Sequence, residues 1–138
     1  MEEARKREWG IAILRVAAGI VFLAHGGQKV FVFGLGAVAG TFAHMGFPAA
    51  WLLGPFVALL ELIGGLALIA GLLTRWVAIL FAIEMAVAVL KVHLAGGFFL
   101  PSGLEFAFTM FAASVAIALA GPGAAAADRV IRRGMIKE

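Results

Sequence analysis

The chain is 138 residues long, 64% hydrophobic and only 14% charged, with 18 glycines, no cysteine and no tyrosine. Average soluble domains are roughly 45–50% apolar and about 25% charged, so neither a disordered chain nor an ordinary water-soluble globule fits this composition. The lack of cysteine removes disulfides, cysteine-ligated metal centres and a thiol nucleophile, and the formal charge of +3 has to be read against a membrane.

Four apolar segments follow one another at residues 9–33, 51–73, 76–95 and 104–121. Each approaches the ~20 residues that cross a bilayer. Trp9, Trp51 and Trp76 stand at segment ends, as an aromatic belt at the headgroups would require. The predicted fold class is all-α: a membrane-embedded four-helix bundle formed by one domain, residues 1–138.

The joints carry further detail. Arg15 interrupts the first apolar run and no small-x-small cleavage site follows, so the basic start reads as the flank of a retained span. Val38, Phe42 and Met45 recur at helical spacing inside the 34–50 linker, which predicts a short interfacial or re-entrant helix between spans one and two. Thr74-Arg75 joins spans two and three tightly, as in an antiparallel hairpin. Gly121-Pro122-Gly123 stops the fourth helix. The 128–138 tail is basic and amphipathic, which suits a short helix on an anionic leaflet.

Basic residues orient the chain. Arg5, Lys6, Arg7, Arg75, Arg129, Arg132, Arg133 and Lys137 fall on one side, and loops 34–50 and 96–104 contain no Lys or Arg. Both termini are therefore expected in the cytoplasm. The basic residues flank helices and form no separate patch, which argues for the lipid bilayer and against nucleic acid as partner.

Six charges remain inside the spans: Arg15, Lys29, Lys91, Glu61, Glu84 and Glu105. An uncompensated charge in hydrocarbon is expensive, so three bases beside three acids suggest mutual pairing. By helical rise, Arg15 lies toward the cytoplasm and Glu61 and Glu84 near the midplane. His25, Lys29, Lys91, His93 and Glu105 then lie in the outer half. Each helix carries small and polar residues on one face, such as Gly54, Ala58, Glu61 and Gly65, so four such faces would meet in a polar seam.

Two readings of the seam stay open. Its pairs would specify packing alone, or they would line a ligand pocket or proton path, with Glu61 and Glu84 the most central members. Arg15 could instead snorkel to the inner headgroups, and Lys29 and Glu105 could be solvated at the outer interface. A haem or metal between His25 and His93 is disfavoured, because His93 falls roughly opposite Glu84 on its helix and no HxxxH or CxxCH spacing occurs. No metal ligand set is assigned. His44 reads as a loop residue, and Gly64-Gly65 as packing rather than a phosphate loop.

Four segments together resemble the DoxX family of small four-helix membrane proteins. They are Leu14-Arg15 through Val21–Lys29, Glu61–Arg75, Lys91-Val92-His93 with Gly97-Phe98-Phe99, and Glu105 with Gly121-Pro122-Gly123 and Asp128. The resemblance spans about residues 10–128. It implies a helical bundle in the plasma membrane and a link to redox chemistry, since relatives look like subunits of thiosulfate:quinone or terminal-oxidase systems, or partners of oxidative-stress enzymes. One departure is Ala126-Ala127-Asp128 where the family often has Ser-Leu-Asp, which puts a polar cap at the end of helix four in doubt.

Lacking cysteine, the chain would need a borrowed cofactor or a partner for redox work. The first expectation is therefore a protein that binds a quinone or other small lipophile in the seam, as apolar pockets with a few placed polar groups do. The alternative is an accessory scaffold docked on a larger membrane complex, with partner redox subunits or a second copy as neighbours. A small transporter is weaker, because four helices hold no inverted repeat of useful size. No self-contained catalytic motif is visible.

Overall fold

A computed structural model describes residues 1–135, save the side chain of Arg133, so the end of the expected tail at 136–138 lies outside the described residues. Among the described residues there are helices and no strands. Helix α1 is Glu2–Gly27, continued by a π-helical segment Gln28–Phe33. Next come α2, Leu35–His44, and α3, Ala50–Ala70. Helix α4, Thr74–Val87, continues through a π segment Ala88–His93 and a 3-10 turn Leu94–Gly96. Helices α5, Glu105–Ala120, and α6, Ala127–Met135, complete the chain.

Each expected span falls on a helix, and α2 occupies the linker where a short helix was expected; His44 is its last residue rather than part of a loop. Three stretches are long and apolar enough to cross a membrane: Glu2–Phe33, Ala50–Ala70 and Thr74–Gly96. Helix α5 is apolar but has only 16 residues, roughly 24 Å against a hydrocarbon core of about 30 Å. The chain is thus an all-helical, multi-pass membrane protein.

Helix α3 ends three residues before the expected 73. The Leu72 amide donates to Ala67 O (2.9 Å) and the Gly71 amide to Leu68 O (3.1 Å). This paired closure needs a left-handed residue, and Gly71 supplies it at φ 70°. Apolar character alone carried the expected span through Leu72 and Leu73, which belong to the turn.

The chain divides into two compact units, residues 1–18 with 67–138, and residues 19–66. In the first, α4 and α5 pack together. The buried residues of α4 are Thr74, Val77, Ala78, Phe81 and Met85, and those of α5 are Ala107, Met110, Ser114 and Ile117. Both sets follow the three-to-four residue period of one helix face. Trp76, Ile79, Leu80 and Ile83 remain exposed on α4, the inverse of a soluble protein and the surface that lipid would cover.

In the second unit the backbones of α1 and α3 touch. A Cβ on Gly26 would lie 2.3 Å from Leu62 N, and one on Gly65 would lie 2.5 Å from Leu23 N. Gly65→Val should therefore destabilise the detergent-solubilised protein by about 1–3 kcal/mol or more, since backbone must move to admit the side chain. Gly27→Ala, where a Cβ meets nothing within 4 Å, is the control. Equal melting temperatures for the two variants would contradict the close crossing.

Candidate functional site

The first unit holds a polar cluster built around Arg15, which is only 1% exposed. Its Nη1 donates to the carbonyls of Leu68 (2.5 Å) and Ile69 (2.9 Å), and Nη2 to those of Ala124 (3.2 Å) and Ala125 (3.1 Å). Leu68 and Ile69 lie in the last turn of α3, where carbonyls lack helical partners and the dipole end is negative. Ala124 and Ala125 belong to the loop before α6, which turns back through Gly123 at φ 69° and Ala125 at φ 48°. No side chain fits at Gly71, because a Cβ there would stand 2.7 Å from Arg15 Nη1.

This corrects the snorkelling alternative. The guanidinium fork turns inward because four carbonyls converge on it, of which only that of Leu68 has a backbone donor as well, from Gly71, and a flexible headgroup offers no such fixed set. Arg15 is therefore not paired with an acid of the spans. The charge nearest it that matters electrostatically is Asp128.

Asp128 clamps the start of α4. Its Oδ1 accepts from the Leu73 amide (2.7 Å) and its Oδ2 from the Thr74 amide (2.9 Å), while its own amide donates to Gly71 O (2.9 Å). Leu73 takes up a left-handed conformation at φ 49° to present that amide. A carboxylate on a helix N-terminus satisfies orphan donors and the dipole together. The missing Ser before Asp128 thus removes no cap: the polar cap is Asp128 itself, and it serves α4.

Burial pushes the Asp128 carboxyl up, but the Thr74 and Leu73 amides and the Arg15 charge outweigh it, and the group stays below its usual range. The Thr74 hydroxyl also favours the charged form, although it falls outside hydrogen-bond geometry. The folded state therefore holds this proton less tightly than the unfolded one. Its stabilising effect is present above the ordinary carboxylate value near 3.8 and is lost as pH falls through the lower folded value. Asp128→Asn should cost about 0.5–2 kcal/mol at neutral pH, as loss of a cap does. Melting curves between neutral and acid pH should show less acid destabilisation in the variant, and a wild-type-like acid slope would refute this role.

At the edge of the same cluster Arg129 pairs with Glu8. Neither Asp128 nor this pair was among the expected site residues. Asp128 is the only aspartate in the chain, a visible signal, but its partners lie 54 and 55 residues away.

The second unit holds one pair expected of the seam, Lys29 with Glu61. The Glu61 side chain is 4% exposed and that of Lys29 24%. Gly26 brings the two backbones together one turn before Lys29, and a Cβ there would stand 2.7 Å from Glu61 C. Lys29 itself lies on the π segment Gln28–Phe33. Such wide turns are rare and recur at functional sites. Lys91 and His93 lie on the other one, Ala88–His93. An extra residue per turn shifts the face on which they emerge, so a stripe drawn at a uniform helical period does not carry through from Glu84.

Two of the other expected residues face the connection between α4 and α5. Glu105 Oε1 accepts from the Leu100 amide (2.8 Å), and His93 Nδ1 lies 3.4 Å from Ser102 O, so both meet the 97–105 connection. Glu84 is half-buried, and Lys91 and His25 are exposed. Among the described residues no three His, Asp or Glu side chains gather as a metal site requires.

A multi-pass helical membrane protein with a part-buried lysine–glutamate pair is the class these features define. Residues 10–94 match the DoxX family, and the chain belongs to that family. It is 33% identical over 127 residues to "Putative oxidoreductase CatD" of Bacillus subtilis (strain 168), covering 92% of this chain and 90% of that protein. It is 32% identical over 126 residues to an uncharacterized protein of Haemophilus influenzae, covering 88% and 90% respectively. No solved structure matches the chain.

Proposed function

We propose that this DoxX protein works in a membrane redox system and binds a quinone or similar small lipophile beside Lys29 and Glu61. The observation that carries the reading is the pair itself: a lysine and a nearly buried glutamate on two helices long and apolar enough to span a membrane. Intramembrane ionisable residues mark ligand and proton sites. The name of the Bacillus relative supports oxidoreductase chemistry.

The residues suit such a ligand. Lys29 keeps enough exposure to offer an N–H to a carbonyl oxygen, and Glu61 holds the ammonium in place. Phe31 and Phe33 stand exposed on the same π segment and offer apolar contact. A quinone would supply the electron-accepting chemistry that this cysteine-free chain lacks. Lys29 and Glu61 would orient it and hold protons at Nζ and Oε2. The same reading places the protein in a prokaryotic plasma membrane with both basic termini in the cytoplasm.

Extraction of protein purified with native lipid tests this. Quinone should copurify with the wild type and be lost from Lys29→Gln. Wild-type protein that carries no quinone and takes up none on addition overturns the reading. One observation favours a non-catalytic accessory subunit as the second reading: the terminal nitrogens of Arg15, the most deeply buried cation among the described residues, bond only to backbone. In that case Glu61→Gln would lower abundance or assembly while leaving the activity of the assembled complex unchanged.

A further inference from the structure

We propose that the chain carries a site for the phosphate of an anionic phospholipid, formed by the start of α4, the 121–123 turn and α6. A cavity of about 550 Å³ opens there, lined among others by Arg75, Trp76, Pro122, Asp128, Arg129 and Arg132. It lies entirely within the first unit and is independent of the Lys29–Glu61 pair.

Charge accounting leaves the cavity cationic. Arg129 is committed to Glu8. Both Asp128 oxygens are committed to the Leu73 and Thr74 amides. Arg75 gives only Nη1 to Ala118 O, at 3.0 Å, and its Nε and Nη2 keep their protons for another acceptor. Gly121 lets that guanidinium lie close, since a Cβ there would stand 3.1 Å from Nη2. Arg132 has no acidic partner among the described residues. Three guanidiniums, of Arg75, Arg129 and Arg132, thus stand against two carboxylates, of Asp128 and Glu8, which leaves the site net positive, and a guanidinium matches a phosphate with two parallel N–H donors.

The surroundings identify a lipid rather than a soluble phosphate. Trp76 is 70% exposed and Leu73 59% exposed, both at the water end of α4, where indole rings sit at headgroup level. On α6, Val130, Ile131 and Met135 share one exposed face, and Asp128, Arg129 and Arg132 lie on the other. Apolar surface for acyl chains therefore borders cationic surface for a headgroup. Basic pockets beside membrane helices hold anionic headgroups by this combination.

Native mass spectrometry of the delipidated full chain, with phosphatidylglycerol or phosphatidylcholine added back, tests the site. One phosphatidylglycerol should bind roughly tenfold or more tightly than phosphatidylcholine, the value of one charge-assisted contact. Arg132→Gln breaks no internal bond and should weaken that preference. Arg75→Gln/Arg132→Gln should abolish it, whereas Arg5→Gln/Arg7→Gln removes equal charge from the same basic collar and should retain it. Melting temperatures separate loss of binding from loss of fold. Equal binding of both lipids, equal loss in the Arg5/Arg7 variant, or equally effective competition by glycerol 3-phosphate would overturn the proposal.

Discussion

Replacing Arg15 by methionine should cost the fold about 3–5 kcal/mol, the usual penalty for removing one partner of a buried charged arrangement. The carbonyls of Ile69, Ala124 and Ala125 would lose their donor at once, while that of Leu68 keeps the Gly71 amide. Each buried group left unsatisfied costs about 1–3 kcal/mol, only partly recovered by relaxation or water. Asp128 would also lose the positive charge facing it. Against a total stability of about 5–15 kcal/mol, the variant should accumulate poorly and melt well below the wild type in detergent. Arg15→Lys should recover only part of the loss, because a single ammonium has three protons and no fork to span carbonyls of two separate chain segments. A methionine variant within about 1 kcal/mol of wild type would show that the carbonyls find other donors, and the structural role assigned to Arg15 would fail.

The second large effect separates stability from function at Lys29 and Glu61. Lys29→Leu leaves the nearly buried Glu61 carboxylate without its partner, at a cost of about 3–5 kcal/mol, and Glu61→Leu, which leaves the part-exposed Lys29, costs less. The double variant Lys29→Leu/Glu61→Leu removes both charges and should recover most of that stability, because well-packed apolar replacements of buried pairs are often neutral or better. Melting temperatures of the four proteins give the coupling between the two side chains. The same four proteins should differ in quinone content: the double variant folds but should copurify none. If it retains quinone at the wild-type level, the pair only holds helices together and the ligand reading fails. Strictly additive losses would instead show that the two charges do not depend on each other.

Much of the architecture was legible because its cause is local. Apolar runs near the length of a bilayer crossing mark the spans, since a backbone in hydrocarbon must satisfy its own hydrogen bonds. Gly121-Pro122-Gly123 ends α5 at Ala120, because glycine and proline act on their own backbone. The α2 helix followed from Val38, Phe42 and Met45. The end of α3 was misplaced because Leu72 and Leu73 are as apolar as the helix before them, and the left-handed turn there depends on Gly71 and on a carboxylate supplied from α6. The π segments were invisible for a related reason: Gln28–Phe33 and Ala88–His93 contain no glycine or proline to announce a change of period.

The candidate site divides along the same line. By itself the sequence determined that this is a helical membrane protein, which residues carry charge into its spans, and that thiol chemistry is closed to it, because composition and periodicity act without reference to distant partners. It singled out Glu61 and Glu84 by type and depth, and placed Lys29 nearer the outer interface. Only the tertiary structure decided that Glu61 meets Lys29, that Arg15 gives its terminal donors to carbonyls instead of an acid, and that Asp128 belongs to the same cluster. A balance of three bases and three acids within the spans could not show this, because charge counting treats the backbone as neutral. At helix ends the backbone is a strong acceptor, and a guanidinium five protons wide finds it before it finds a carboxylate.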